Sequence, residues 1–510
     1  MDRSTSQFEI DMRIPQEATT SQQVNMGSNV QVASNISRAS DLLMAVTSSA
    51  EVNRMKISEL ASEAMEVLTK LALAQEPLWQ CNIQSNTEFL SDIDYLREFG
   101  HISASLIEII KMVEEQWLLV FPNIVSIAKV VGVLSSTRVE GNYDGTLQVM
   151  TAEFHAPTPL IPARANYFAR YSKQLDSGMW VVVDASLEKL FQLPSTNFRR
   201  QPSGCLIQEM PNGCSKVIWV EHAEVDNRMV HNMFEPLVSS GYAFSARRWV
   251  STLVRQCEWL ATLNSTSPPT SDRMFISHAG RKSMVKLSER MMRSFVADIS
   301  ASTENKWRTL PVFGSEDVKV TTKTNYFNDP GKPPGTTLSF ATSVHLPVPR
   351  TQIYNLLRDG ESRYMWDMMS YEKDTKEIVY IATGDHPGNR VSGATKEIEI
   401  FYLQESYTDS NGSYVVYAPI DQFPMSALLD GANPDEFAIL ASGFSILPDR
   451  PMANDESGGS LLTLALHITE GATEEFIPPR TVQNILNIIA GTVVQITDVL
   501  SSNGENSVEP

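Results

Sequence analysis

The stretch QPSGCLIQEMPNGCSKVIWVEH, residues 201–222, contains two of the four cysteines and one of the eight histidines of the chain. Cysteine and histidine at short spacing are the residue types of zinc sites and of redox-active thiols. A zinc site needs its ligands within about 2.3 Å of the metal, and a disulfide needs Cα atoms within about 7 Å of each other. Whether Cys205, Cys214 and His222 can meet therefore depends on the backbone between them.

Asn212-Gly213 lies between two apolar runs, and this dipeptide is a strong signal for a β-hairpin with a two-residue turn. Such a hairpin places Cys205 and Cys214 roughly 20 Å apart along one strand, at about 3.3 Å per residue. We therefore expect neither a disulfide nor a metal site here. The predicted pairs are Glu209 with Lys216, Gln208 with Val217, Ile207 with Ile218, Leu206 with Trp219, and Cys205 with Val220.

Sequence motifs of the common enzyme classes are missing. The chain has no phosphate-binding P-loop, no dinucleotide-binding glycine pattern, no H-E-x-x-H and no G-x-S-x-G. The histidines are scattered, without neighbours that suggest a catalytic triad. We expect no enzyme activity, no cofactor and no metal, although a catalytic group assembled only in three dimensions stays open.

Two charged residues interrupt runs that otherwise predict sheet: Glu153 in LQVMTAEFHAP and Arg170 in NYFARYSK. One interpretation is that both face solvent on alternating strands. The other is that they pair inside a cavity, where a buried carboxylate and guanidinium orient the head group of a ligand. Gln208 and Trp219, on one side of the hairpin, are further candidates, and whether that side meets a cavity or solvent stays open.

Composition divides the chain into segments. Residues 1–54 are rich in Ser, Gln, Asn and Thr and predict a disordered polar arm, because they bury too little apolar surface. Residues 55–263 begin and end with amphipathic helices and predict a first folded domain. A Pro/Ser/Thr linker at 264–275 leads to a second domain at 276–501 and a disordered tail at 502–510.

Charge and hydropathy exclude several protein classes. No apolar run approaches the ~20 residues of a membrane helix, so we expect no transmembrane segment. The few scattered cysteines and the polar N-terminal residues predict an intracellular protein without a secretory signal. The formal net charge of -19 argues against nucleic-acid binding, since that affinity depends on Lys and Arg contacts to phosphates.

Similar stretches recur in the same order in the two halves of the chain, which predicts a tandem duplication. Each half reads as a helix, a meander of strands and a long C-terminal helix. The predicted fold class is α+β, with two units that each hold a long C-terminal helix across a curved antiparallel sheet. The matching stretches are GMWVVVDAS from Gly178 with GSYVVYAPI from Gly412, PSGCLIQ from Pro202 with ASGFSIL from Ala441, and EEQWLLV around Trp117 with RYMWDMM around Trp366.

Longer motifs resemble a known family. The first half resembles the START (StAR-related lipid-transfer) domain of plant class IV homeodomain-leucine zipper transcription factors, and the second half resembles the START-adjacent domain of the same proteins. The stretches that carry the first resemblance are GNYDGTLQVMTAEFHAPTPLIPARANYFARYSKQ, RRQPSGCLIQEMPNGCSKVIWVEHAEVD and PLVSSGYAFSARRWVSTLVRQCEWLA. Those that carry the second are GRKSMVKLSERMMRSF, NDPGKPPGTTLSFATS, LRDGESRYMWDMMS and ILASGFSILPDRP.

The resemblance implies a helix-grip fold around a tunnel for a lipid or sterol, in a nuclear protein, with a cytoplasmic location as the alternative. It places Glu153 and Arg170 in the tunnel, with Arg164 as a further candidate. The strand of the second unit that aligns with Arg170 reads FYLQES, so no second lipid site is assumed.

One departure from the family concerns DNA binding. Residues 1–54 contain four arginines and no lysine, and neither the basic helix of a homeodomain nor a zipper of three or more heptads is evident. We expect a non-enzymatic lipid- or sterol-binding protein that does not itself bind DNA. The alternative is a regulatory protein that acts through partners, such as full-length homeodomain-leucine zipper relatives.

Overall fold

The computed structural model describes residues 50–505, with short gaps. The predicted arm up to residue 49, most of the predicted linker and the end of the predicted tail lie outside the described residues. The gaps are 74–78, 83–86, 91–95, 103–105, 138, 177, 192–197, 226, 266–275, 311–317, 326–330, 369–374, 397–399, 451–457 and 471–477.

The first unit consists of an antiparallel sheet with helices on both faces. Its helices are α1 (Ala50–Leu73), α2 (Leu106–Glu115), α3 (Trp117–Val120), α4 (Glu188–Phe191), α5 (Glu235–Ser239) and α6 (Ala246–Asn264). Its strands are β1 (Trp79–Asn82), β2 (Thr87–Leu90), β3 (Leu96–Ile102), β4 (Val125–Ser135), β5 (Thr146–Phe154), β6 (Arg164–Asp176), β7 (Met179–Ser186), β8 (Phe198–Arg200), β9 (Ser203–Glu209), β10 (Ser215–Glu221) and β11 (Ala223–Val225).

Among the described residues, nine of these strands form one sheet in the order β1-β2-β3-β10-β9-β7-β6-β5-β4, and β8 pairs with β11. Side chains alternate between the two faces of each strand. On the outer face, Leu206 and Ile218 pack against Leu68 of α1. On the inner face, Ile207 shares a core with Leu253 of α6. The central strands are therefore buried on both faces, and α6 lies across the inner one.

The second unit repeats this plan. Its helices are α7 (His278–Ile299), α8 (Arg350–Arg358), α9 (Gln422–Asp430) and α10 (Pro479–Glu505). Its strands are β12 (Arg308–Thr309), β13 (Lys319–Asn325), β14 (Gly335–Leu346), β15 (Thr375–Ala382), β16 (Arg390–Lys396), β17 (Ile400–Thr408), β18 (Ser413–Asp421), β19 (Ser442–Pro448) and β20 (Ser460–Glu470).

The strand order of the second sheet, within the described residues, is β12-β13-β14-β20-β19-β18-β17-β16-β15. This order matches the first sheet strand for strand, and the three pairs of matching stretches fall on equivalent elements. Met291 of α7 belongs to the core on one face, and Ile489 of α10 to the core on the other. The predicted pair of helix-grip units is confirmed.

The hairpin of β9 and β10 is present, but its predicted register is wrong by one residue. Residues 211–213 form a three-residue turn, closed by a bond from the Met210 N–H to the Cys214 carbonyl at 2.9 Å. Within this turn only Gly213 has positive φ, at 79°, whereas the two-residue turn needs positive φ at two positions. The observed pairs are Glu209 with Ser215, Gln208 with Lys216, Ile207 with Val217, Leu206 with Ile218, and Cys205 with Trp219.

The cysteines of this hairpin do not meet. Cys205 is fully buried in the inner core, and Cys214 is half-buried beside the turn. Burial raises the pKa of the Cys205 thiol, which keeps it protonated and unreactive. Across the described part of the chain, no group of three or more His, Cys, Asp or Glu side chains is placed to hold a metal ion.

The helix α10 corrects the expectation that no segment has the length and hydropathy of a membrane span. Its segment Pro479–Ser502 has a mean hydropathy of 1.5, which meets that criterion by length and composition alone. The core helix of a soluble protein passes the same test. Ile489, Ile496 and Leu500 on this helix are buried in the core of the second unit.

A glycine occupies the same place in the central strands of both units. A Cβ atom on Gly204 would lie 2.1 Å from the carbonyl oxygen of Val182, and one on Gly443 would lie 2.4 Å from that of Val415. Both distances are far below van der Waals contact. These are the glycines of the repeated PSGC and ASGF motifs, so the close approach of the neighbouring strand accounts for the repeat.

Replacing Gly204 or Gly443 by alanine is expected to lower the free energy of unfolding by about 1–3 kcal/mol, because the neighbouring backbone has to move. Urea denaturation of the full chain measures this effect. Gly132→Ala on β4 is the control, since no atom of the described residues other than its chain neighbours lies within 4 Å of the added Cβ. The free energy of unfolding of this control variant is expected to change by at most about 0.5 kcal/mol. Equal denaturation midpoints for all three variants would contradict the steric explanation.

Candidate functional site

Four charged side chains form a continuous ladder on the inner face. Arg170 lies directly opposite Asp184, and its Nε and Nη2 atoms donate to the two carboxylate oxygens at 2.8 Å each. Asp184 also accepts from Arg200 Nη1 at 2.8 Å, and Arg200 makes two further bonds of 2.8 Å to Glu221. All four are at least nine-tenths buried. The alternating signs offset the cost of burying each charge.

Aromatic rings enclose the ladder. The guanidinium of Arg170 lies 3.8 Å from the ring centroid of Trp117, and that of Arg200 lies 5.1 Å from Phe154. Trp219 on β10 stacks on Trp249 of α6, with centroids 4.9 Å apart and planes 10° apart. The aromatic box, as we name these rings, comprises Trp117, Phe121, Phe154, Phe168, Trp219 and Trp249.

Among the described residues, three buried polar atoms at the box have no hydrogen-bond partner: Oε2 of Glu114 and the indole Nε1 atoms of Trp117 and Trp219. Ser172 donates to the other oxygen of Glu114. Burial raises the pKa of the Glu114 carboxyl, against the lowering effect of Arg170. Since buried polar groups are normally paired, these atoms are the natural contacts for a polar group of a ligand.

A small cavity lies at the edge of the box. The cavity between Phe154, Phe198, Phe244 and Trp249 has a volume of about 10 Å³. That is room for about one water molecule, whereas ligand pockets usually measure about 300–1,000 Å³. A lipid chain can therefore enter this cavity only if α6 or the aromatic side chains move.

A larger groove, of about 580 Å³, lies on the outer face between α1 and β6. It is open on one side. Its walls include apolar side chains, such as Met65 and Tyr171, and the lysines Lys70 and Lys173. It is separated from the box by the sheet.

Glu153, predicted as the partner of Arg170, lies elsewhere. Strand β5 places it opposite Ala165, and by alternation it faces away from the box. Its carboxylate accepts hydrogen bonds from Ser302 Oγ at 2.6 Å and from Thr303 Oγ1 at 2.7 Å, both in the second unit. In this structure Glu153 joins the two units.

The other predicted site residues are divided between the two faces. Trp219 lies in the box with Arg170. Arg164 is buried at the other end of β6, where its guanidinium lies 5.2 Å from the ring centroid of Phe244. Gln208 is half-buried and, by alternation with Ile207, lies on the outer face. The box therefore brings together Arg170 and Trp219, with Arg164 near Phe244 at its margin.

Sequence reasoning missed the other three members of the ladder, Asp184, Arg200 and Glu221. Asp184 and Glu221 interrupt the apolar runs MWVVVDAS and VIWVEH, which is the same signal that identified Arg170. Arg200 lies on the short strand β8, which has too few residues for a periodic pattern. The missing information was the pairing of β6 with β7, which joins Arg170 to Asp184 directly.

Comparison with known families agrees with this architecture. The START domain family matches residues 59–259, and the family described as PDF2-like, C-terminal domain matches residues 277–502. Residues 59–259 therefore match START domains, and residues 277–502 match PDF2-like C-terminal domains.

Its curated relatives include two homeobox-leucine zipper proteins of Arabidopsis thaliana, ANTHOCYANINLESS 2 and HDG3. Each is 36% identical over 87% of this chain, and the chain spans 59% and 65% of their respective lengths. The resemblance to class IV homeodomain-leucine zipper proteins is thereby confirmed. Among solved structures, human StAR-related lipid transfer protein 5 is 15% identical, with 41% of this chain and 99% of that chain covered and a TM-score of 0.33.

Proposed function

We propose that the START unit binds a lipid or sterol without catalysing a reaction, and that the ligand occupies the inner face beneath α6. The observation that carries this proposal is the box itself, an apolar compartment with a buried charged ladder. The unpaired atoms of Glu114 and Trp117 supply polar contacts for a head group. Arg170 and Trp219 line the compartment, and Arg164 lies at its margin.

The driving force is burial of apolar ligand surface, worth about 25 cal/mol per Å² removed from water. Displacing aromatic side chains of the box costs free energy and offsets part of this gain. A ligand with a long apolar body offsets that cost better than a small one. This favours a lipid or sterol over a small polar metabolite.

Native mass spectrometry of the full chain purified from cells tests the proposal. The expected result is a bound lipid or sterol in the wild-type protein and a severalfold lower occupancy in Glu114→Leu, which removes the polar contact. Glu63→Leu is the matched control, because Glu63 is an exposed helical glutamate on α1, on the outer face of the same unit. A ligand-free wild-type protein, or equal losses in the two variants, would count against the proposal.

We also propose that the chain acts in the nucleus as a regulator related to homeobox-leucine zipper proteins, without binding DNA itself. The similarity over most of the chain supports the regulatory role, and the formal charge of -19 opposes phosphate binding. Its partners would be full-length relatives. Nuclear fractionation followed by co-purification tests this, and a cytosolic protein without such partners would contradict it.

A further inference from the structure

Helix α6 has two packed faces. Trp249, Leu253 and Cys257 belong to the core of the START unit. Arg255 and Trp259, four residues apart and therefore on a common side of the helix, make contacts with the second unit. The helix across the mouth of the START sheet is thus held between two domains.

Polar contacts fix its outward side. Arg255 Nη2 donates to Glu405 Oε1 at 2.8 Å, and the two side chains are only 8% and 6% exposed. The same guanidinium lies 4.9 Å from the ring centroid of Tyr407. Trp259 Nε1 donates to the carbonyl oxygen of Val285 on α7 at 3.2 Å. A buried ion pair of this kind is costly to break, because it leaves a charge without a partner.

The hydrophobic cores also cross the domain boundary. Leu263, near the end of α6, is buried in the core of the second unit together with Met284 and Leu287 of α7. In the other direction, Leu461 of β20 belongs to the core of the START unit. Displacing α6 would therefore disturb both cores.

We propose that the PDF2-like domain is a clamp that holds α6 on the START sheet and controls access of ligands to the box. This inference rests on the proposed lipid function and adds a role for the second domain. Because the cavity between Trp249 of α6 and Phe154 has room for about one water, a ligand enters it when α6 is released. Ligand binding and the docking of α6 on the second unit are then coupled, and the coupling is reciprocal.

Hydrogen exchange of the full chain tests the clamp. Glu405→Gln removes the carboxylate bonded to Arg255 at nearly constant size and leaves Glu289 as a more distant negative charge. We expect the amides of α6 to exchange at least tenfold faster, while those of β9 and β10 keep their wild-type rates. Glu224→Gln is the control, because it removes the same charge from an exposed ion pair. Glu224 pairs with Arg199, and its side chain is 55% exposed. Trp259→Phe, which loses the hydrogen bond to α7 and part of the ring packing against the second core, replaces Glu405→Gln if that variant does not fold.

Unchanged exchange of α6 would overturn the clamp, and so would equal acceleration throughout both units, which indicates general destabilisation. A second measurement follows uptake of a fluorescent phosphatidylcholine from phosphatidylcholine vesicles. We expect severalfold faster uptake in Glu405→Gln. If the α6 amides exchange faster but lipid uptake is unchanged, the second domain does not control access to the box. Released α6 with no uptake by either protein supports the clamp on α6 but contradicts the proposed lipid function.

Discussion

Replacing Asp184 by asparagine is expected to lower the free energy of unfolding by about 3–5 kcal/mol, the usual cost of removing one partner from a buried ion pair. Asp184 accepts hydrogen bonds from both Arg170 and Arg200, and all three side chains are at most 2% exposed. The variant leaves two buried guanidinium groups, of which Arg200 keeps its bonds to Glu221 and Arg170 loses its bonded carboxylate. Urea denaturation followed by tryptophan fluorescence measures the loss.

Two comparisons separate charge from packing. Glu224→Gln alters an exposed ion pair and should cost at most about 1 kcal/mol. The double variant Arg170→Met, Asp184→Leu removes one whole pair and leaves Arg200 with Glu221, so it should cost less than Asp184→Asn alone. A loss for Asp184→Asn no larger than that of Glu224→Gln would show that water reaches the ladder and that the box is open.

The duplication was predictable because it leaves local marks. The motif around Gly204 recurs around Gly443, since in both units the neighbouring strand approaches too closely for a side chain. Trp117 and Trp366 recur because each fills the core beneath the long helix of its unit. Because both units have the same sequence of helices and strands, their sheets have the same strand order.

The partners of charged residues were not predictable, because they depend on pairing between distant strands. Glu153 and Arg170 each interrupt an apolar strand pattern. Glu153 nevertheless joins the two units, whereas Arg170 lies beside the box. The register of the β9–β10 hairpin failed for a local reason. Asn212-Gly213 fits both a two-residue and a three-residue turn, and a difference of one residue changes every pair.

The residues at the position of Arg170 make one contact that is common to both units and one that is found in the first unit. Arg170 Nη1 donates to the carbonyl oxygen of Val113 in α2 at 3.1 Å. On the equivalent strand, Gln404 Nε2 donates to the carbonyl oxygen of Arg358 at the end of α8 at 2.9 Å. Both side chains tie a short helix to the sheet. Only Arg170 also pairs with an opposite carboxylate, so the two inner faces are chemically different.

Replacing Trp249 by alanine is expected to lower the free energy of unfolding by about 3–5 kcal/mol and to open a cavity under α6. Trp249 is 2% exposed, and its ring centroid lies 4.9 Å from those of both Trp219 and Phe121. Thermal or urea denaturation measures the loss. Phe423→Ala is the control, because this side chain is 83% exposed and its removal leaves no cavity.

The cavity left by Trp249→Ala gives a second measurement, which tests whether the box is a closed apolar compartment. Apolar cavities of this kind stay dry and bind small aromatic molecules. Indole replaces the lost ring and should restore about 2.7 kcal/mol at a concentration of 100 times its dissociation constant, without effect on the wild-type protein. A destabilised variant that indole does not rescue would show that the box collapses, and a ligand would then have to rebuild the space it occupies.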